Sequence, residues 1–196
     1  MIKIEIKGRQ VIATSPYHPD FAPLAKKIGG TFKTDHWYFD IKDEAAIRSL
    51  IMKIYGYEEG IRRVDVRIKL QSYASMVGKK SGVFLAGRNI ARAYSKNSEI
   101  KYGENIIILN GGFGSGGSDE NWTTTSTPGI EFLIRNLYFP AFENIKSMYG
   151  WTDDIVVCEI VGESIPKEAS LLLEKDALEA KLNSLNELLT KYYGYK

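Results

Sequence analysis

Residues 64–70 read Val-Asp-Val-Arg-Ile-Lys-Leu. Val64, Val66, Ile68 and Leu70 alternate with Asp65, Arg67 and Lys69, so one face of the stretch is apolar and the other charged. Period two marks a β-strand with one face on a core and one in water, the habit of antiparallel sheets. A parallel sheet covered by helices on both faces needs strands that are apolar throughout. Further short strand-like runs at 105–109, 130–135 and 155–161 are separated mainly by turns. The chain is therefore expected to be α+β rather than doubly wound, with a mostly antiparallel β module at its centre.

Upstream of this strand the pattern changes. Residues 2–7 and 10–14 read as two short strands with Gly8 at the turn. Ser-Pro-Tyr-His-Pro-Asp at 15–20 is turn-rich and leaves Asp20 to cap a helix over 21–28, which Gly29-Gly30 stops. His36-Trp37-Tyr38-Phe39 reads as an aromatic strand. Asp40 or Asp43 then starts a second helix whose Ile47, Leu50, Ile51 and Ile54 share one face before Gly56 ends it. This predicts a small β-β-α-β-α module over 1–57 and a β-rich module over 61–163. In the latter, Val83-Phe84-Leu85 leads into a helix over 89–94. A C-terminal amphipathic helix is expected in 164–196, from Lys167 to Tyr192. Its Leu171, Leu178, Leu185 and Tyr192 are seven apart, with Leu182 and Leu189 between them, a seam that packs on the protein itself or makes a homodimer.

Composition bounds the classes. The chain has 196 residues, 44% of them hydrophobic, and a net charge of +2, which fits a folded domain rather than a disordered one. No run reaches the ~18 apolar residues of a membrane span. The first ten residues lack the apolar core of a signal peptide. The single cysteine, Cys158, sits in an apolar run and reads as a buried thiol. A cytoplasmic protein with no membrane partner is expected. The small net charge hides a split: residues 1–110 carry 19 Lys/Arg against 11 Asp/Glu, whereas residues 111–196 carry 7 against 13. A basic front half suits nucleic acid or an acidic partner.

Catalytic patterns fail on specific requirements. Gly112, Gly114 and Gly117 have the dinucleotide-binding spacing, but a pyrophosphate site needs a helix N-terminus directly after the glycines. Here the chain continues through Ser118, Asp119 and Glu120 into a Thr-rich stretch that ends at Pro128-Gly129. For a P-loop, Ser118 and Asp119 stand where lysine and a hydroxyl residue belong. The glycine stretch is expected to be a long mobile loop that could order on a partner through Gly112, Phe113, Gly114 and Trp122. Two histidines and one cysteine show no zinc spacing. Asp153-Asp154 with Glu159 lacks the lysine of a metal nuclease, and strand alternation puts Glu159 in solvent. Cys158 has no histidine near it. No enzyme activity, no cofactor and no metal site are expected.

Basic residues among aromatics form the most coherent group. Lys26, Lys27 and Lys33 surround Gly29-Gly30, with Trp37 and Tyr38 close behind, although Trp37 itself reads as core. Arg62, Arg63 and Arg67 fall on the strand that opens the second module, together with Lys69. Arg88, Arg92 and Lys96, at i, i+4 and i+8, would share one face of the predicted helix. Cations neutralise phosphates and exposed rings stack on bases, so these are candidate nucleic-acid-binding residues.

Tyr17-His18-Pro19-Asp20-Phe21, Ala25, Gly29-Gly30, Phe32, Trp37 and Phe39 follow one another with a recognisable spacing. This string, over about residues 9–56, resembles the HARP (HepA-related) small domain of annealing helicases and similar domains in phage and plasmid proteins. The resemblance implies contact with DNA where single and double strands meet. The helicase motor that accompanies HARP domains is not in this sequence. The expected function is that of a non-enzymatic nucleic-acid-binding accessory protein from a phage or plasmid. The alternative is a protein–protein inhibitor of a host defence complex that acts through its acidic half or its glycine stretch.

Overall fold

In the computed structural model, residues 2–145, 152, 154–164, 175, 178–179, 181–186 and 194 are described. The chain is α+β. Strands β1 (Lys3–Lys7) and β2 (Gln10–Thr14) form a hairpin, and helix α1 (Phe21–Lys27) follows. Asp20 makes no side-chain cap. Its N–H instead donates to His18 Nδ1 at 3.2 Å. Strands β3 (Thr31–Lys33) and β4 (His36–Asp40) are joined by Thr34 and Asp35, both at positive φ, the two-residue turn that suits the twist of a hairpin. A single 3-10 turn, Ile41–Asp43, leads into α2 (Glu44–Tyr55), and Asp40 caps that turn by accepting from the Lys42 N–H. The four strands make one sheet in the order β1-β2-β4-β3. Ile47, Leu50, Ile51 and Ile54 of α2 are all buried, as their 3.6-residue spacing requires. Gly56 takes a left-handed φ of 65°, and a Cβ there would collide with the backbone of Ala141.

The remaining strands are β5 (Arg63–Leu70), β6 (Val77–Lys79), β7 (Val83–Leu85), β8 (Arg88–Arg92), β9 (Lys101–Tyr102), β10 (Ile106–Asn110), β11 (Phe113–Gly117), β12 (Trp122–Ser126), β13 (Glu131–Tyr138) and β14 (Val156–Ser164). A short helix, α3 (Phe139–Glu143), follows β13. They form three sheets, ordered β10-β13-β5-β14, β11-β12-β6 and β7-β8-β9. The alternation of β5 is realised fully: Val64, Val66, Ile68 and Leu70 are buried, and Ile68 lies opposite Phe132 of β13. On its outer face Lys69 is directly opposite Glu131, which also takes Arg67 as an ion-pair partner. The described apolar core is continuous from Ile2 to Val156, so residues of 1–57 and of 61–163 share it.

Several expectations are overturned. The first module runs β-β-α-β-β-α rather than β-β-α-β-α, because Thr31–Lys33 pairs with His36–Asp40 as a second hairpin. Residues 89–94 are not helical. Val83-Phe84-Leu85 and Arg88–Arg92 are the two arms of a hairpin turned by Ala86 and Gly87, both at positive φ. The glycine stretch is not a loop. Phe113–Gly117 pairs residue for residue with Trp122–Ser126, and Ser118 and Asn121 exchange backbone hydrogen bonds across the turn. Gly117 has a φ of 81°, and a Cβ there would strike the Asn121 carbonyl. The Thr-rich run that follows is polar because its hydroxyls carry bonds. Thr124 Oγ1 accepts from the Ala93 N–H at 2.8 Å, and Ser126 Oγ accepts from the Met76 N–H at 2.9 Å. Cys158 is half-buried, not enclosed, and packs partly on the core; Glu159 is exposed.

Met1–Glu163 and Ser164–Lys196 are separate compact units. Most of the predicted helix over 167–192 lies outside the described residues, as does Asp153. Within the second unit, residues 175, 178–179 and 181–186 are helical. There Lys175 pairs with Glu179 one turn on at 3.5 Å, and Leu178, Leu182 and Leu185 are exposed. Among the described residues no helix is long and apolar enough to cross a membrane.

Candidate nucleic-acid interface

The β7–β8 hairpin carries Arg92 at its outer end, and β9 pairs back on β8 so that Lys101 lies directly opposite Arg92. Like charges in register across two strands repel. A ring lies between them: the Arg92 guanidinium is 4.8 Å from the centre of Tyr94, and Lys101 Nζ is 5.4 Å from the same ring. Ser98 Oγ holds the Tyr94 segment by accepting from the N–H groups of Tyr94 and Ser95. On its other side Arg92 stands 5.7 Å from the ring of Tyr17. Its Nε is buried without a hydrogen-bond partner.

Tyr17 belongs to the turn between β2 and α1. That turn is pinned by Tyr55, whose Oη donates to the Pro16 carbonyl at 2.7 Å. Burial pushes the Tyr55 phenol up to about 12, so the donor stays protonated. Tyr17 rests edge-on against Phe84, their centroids 6.1 Å apart, yet remains 61% exposed. It forms one wall of a cleft of about 370 Å³. Phe21 and the buried Trp37 lie deep in it, Phe32 offers a half-exposed ring, and Lys26 and Asp35 also line it. Phe32 is held against Trp37 at 5.2 Å, and Trp37 against Phe21 at 5.8 Å. His18, also in the lining, is buried against Phe84 and Tyr55, and burial lowers its pKa.

Lys101, Tyr94, Arg92 and Tyr17 thus succeed one another as a strip of alternating cation and ring, and Tyr17 carries it into a cleft lined by Phe32 and Lys26. Such a strip offers charge to a phosphate backbone and flat faces to bases. Of the residues predicted from sequence, Lys26 and Arg92 take part. Lys27 and Lys33 are exposed at the ends of α1 and β3 but do not line the cleft; Lys33 faces a separate recess with Arg9, Thr31 and Tyr38.

The other predicted cations are elsewhere. Arg62 pairs with Glu163 and lies 4.8 Å from the Phe139 ring centre. Arg67 is neutralised by Glu131. Arg63 and Arg88 share a different recess against Tyr138. Lys96 is exposed on the turn held by Ser98, not on a helix face with Arg88 and Arg92. In the glycine stretch, Phe113 is buried against Phe132, and the Gly112 N–H donates to Thr127 Oγ1. Gly114 is exposed within β11, whereas Trp122 Nε1 donates to the Ala93 carbonyl at 3.1 Å. Among the described residues no group of three His, Cys, Asp or Glu could hold a metal ion.

Tyr94 and Lys101 were missed because 88–96 reads equally well with a helical period, and the cue that settles it is the Ala86-Gly87 pair between two apolar runs. No known protein family matches the chain, and no curated protein or solved structure is significantly similar to it.

Proposed function

We propose that this chain is a nucleic-acid-binding accessory protein that holds single-stranded segments along the Lys101–Tyr94–Arg92–Tyr17 strip, with bases stacking at the Tyr17–Phe32 cleft. One observation carries this reading. Two cations stand opposite each other in register, Arg92 and Lys101, with an exposed ring between them. The Tyr94 ring offsets part of the repulsion between the two cations, and a bound anion would offset the rest. The HARP-like string supports it from the sequence side, because Tyr17, Phe32 and Trp37 of that string line the cleft. The protein acts by binding in this reading, and the phage or plasmid setting stays part of the proposal. A titration with single-stranded, duplex and forked DNA at several salt concentrations tests it. Single-stranded and forked DNA should bind more tightly than duplex, and affinity should fall with salt. Absence of binding at ~50 mM salt, where phosphate contacts are strongest, would sink the reading.

A further inference from the structure

Arg63 and Arg88 lie together in a recess of about 100 Å³ that is distinct from the aromatic cleft. The recess owes its shape to a bulge in β13. Between Ile134 and Leu137 the register slips, and Asn136 takes a φ of 57° with its N–H donated to Asp65 Oδ1 at 2.8 Å. The bulge turns two oxygens of Asn136 toward the arginines. Arg88 Nη2 donates to the Asn136 carbonyl at 2.8 Å, and Arg63 Nη1 donates to its side-chain oxygen at 3.3 Å. Both guanidiniums also lie against Tyr138, at 4.9 Å for Arg63 and 5.8 Å for Arg88.

The charge in this recess is not balanced. Arg62, Arg67 and Arg135 each reach a carboxylate, those of Glu163, Glu131 and Asp65. Among the described residues, neither Arg63 nor Arg88 has one within ion-pair distance. Arg63 Nε is buried with no hydrogen-bond partner. Burial lowers the pKa of Arg88, and the nearby charge of Arg63 pushes the same way, against Tyr138 and Glu104. Two partly buried guanidiniums face the single carboxylate of Glu104, which lies in the same lining without reaching ion-pair distance, so the recess keeps a net positive charge that an anion between them would offset. Backbone conformation points to the same place. Three of the six described non-glycine residues at left-handed φ line this recess: Ala86 at 50°, Asn105 at 63° and Asn136 at 57°. Ala86 belongs to the β7–β8 turn and asparagine tolerates this conformation, so what marks the recess is that a turn, a bulge and Asn105 converge on it.

We propose that the Arg63–Arg88 recess is an oxyanion site that takes the phosphate group of a phosphoester. Two guanidinium forks can grip a tetrahedral anion from two directions, whereas one fork already satisfies the two oxygens of a carboxylate. Glu104, in the same lining, opposes extra negative charge and accepts a hydrogen bond from a hydroxyl beside the phosphate. Pro16 lines both this recess and the aromatic cleft, so the phosphate could belong to a nucleic-acid strand or to a small free ligand. The site does not depend on the nucleic-acid reading.

The test uses inorganic phosphate on the full chain, read by calorimetry and by the thermal midpoint at constant ionic strength. Saturable binding and a rising midpoint are expected. Arg88→Gln and Arg63→Gln should each weaken binding about tenfold or more, the loss of one charge-assisted fork. Glu104→Gln should tighten it, a gain that misfolding cannot produce. A 5′-phosphorylated oligonucleotide that binds more tightly than its 5′-hydroxyl counterpart, with the difference lost in Arg88→Gln, assigns the phosphate to nucleic acid. Equal oligonucleotides with intact phosphate binding assign it to a small ligand. Phosphate binding with no oligonucleotide binding keeps the site and removes the proposed function. No saturation by about 10 mM phosphate, with no gain in Glu104→Gln, overturns the site.

Discussion

Replacing Tyr17 by alanine removes the ring that joins the cationic strip to the aromatic cleft. Its ring is 61% exposed, touches Phe84 along one edge and faces Arg92 at 5.7 Å. A base stacked on an aromatic side chain is worth about 1–3 kcal/mol by alanine substitution. The dissociation constant for single-stranded DNA should therefore rise roughly 5- to 150-fold. The fold should lose less: an edge-on aromatic pair contributes ~0.5–1.5 kcal/mol, and a cation over an exposed ring ~0.5–1 kcal/mol. Tyr17→Phe keeps the ring and should bind nearly as wild type. Fluorescence anisotropy of a labelled oligothymidine about a dozen nucleotides long measures the effect, with a thermal melt to show that each variant is folded. Arg92→Gln in the same assay should lower the slope of log affinity against log salt by about 0.7, one phosphate contact on a single strand. If folded Tyr17→Ala binds within about twofold of wild type, bases do not stack at this cleft, and the reasoning from the strip fails.

Three further outcomes follow from the fold. His18 is buried and its Nδ1 accepts from the Asp20 N–H, which needs the neutral ring. Its folded pKa lies below its ordinary value of 6.5, so the unfolded chain binds more protons as pH falls. Stability should be full above pH 6.5 and decline from there down to the folded pKa, a slope that a denaturant series in His18→Gln should show diminished. Gly56→Ala places a side chain at φ 65° and against the Ala141 backbone, and should cost more than about 1 kcal/mol in urea unfolding. Thr124→Val keeps the β-branched shape in β12 but orphans the buried Ala93 N–H, and should cost about 1–3 kcal/mol by the same measurement.

Much of the fold was legible where burial follows a clear period. The stripe of α2 and the alternation of β5 describe single faces against one core, and both were read correctly. The reading failed where two periods coincide. Residues spaced by four share a face in a helix and in a strand, so Arg88 and Arg92 could not decide between them. It failed again at Phe113–Gly117, because glycine has little intrinsic preference for strands. There the pairing to the Thr-rich β12 overrides propensity. The candidate site was legible only in part. Lys26 and Arg92 were named, and Trp37 was read as core, as it is. Tyr94 and Lys101 depend on the register of β8 with β9, which local sequence does not specify. The ion pairs that occupy Arg62 and Arg67 join residues about 101 and 64 positions apart, beyond the reach of any local pattern.

The central claim is that a single strand lies along one particular strip of this surface. Photo-cross-linking with a 5-iodouracil oligonucleotide, followed by peptide mapping, reads that placement directly, since the photoproduct forms on a stacked aromatic ring. Adducts should fall on Tyr17, Phe32 and Tyr94. Tyr73, as exposed as Tyr17 but outside the strip, should be spared. Adducts concentrated on Tyr73, with Tyr17, Phe32 and Tyr94 unmodified, would contradict the account.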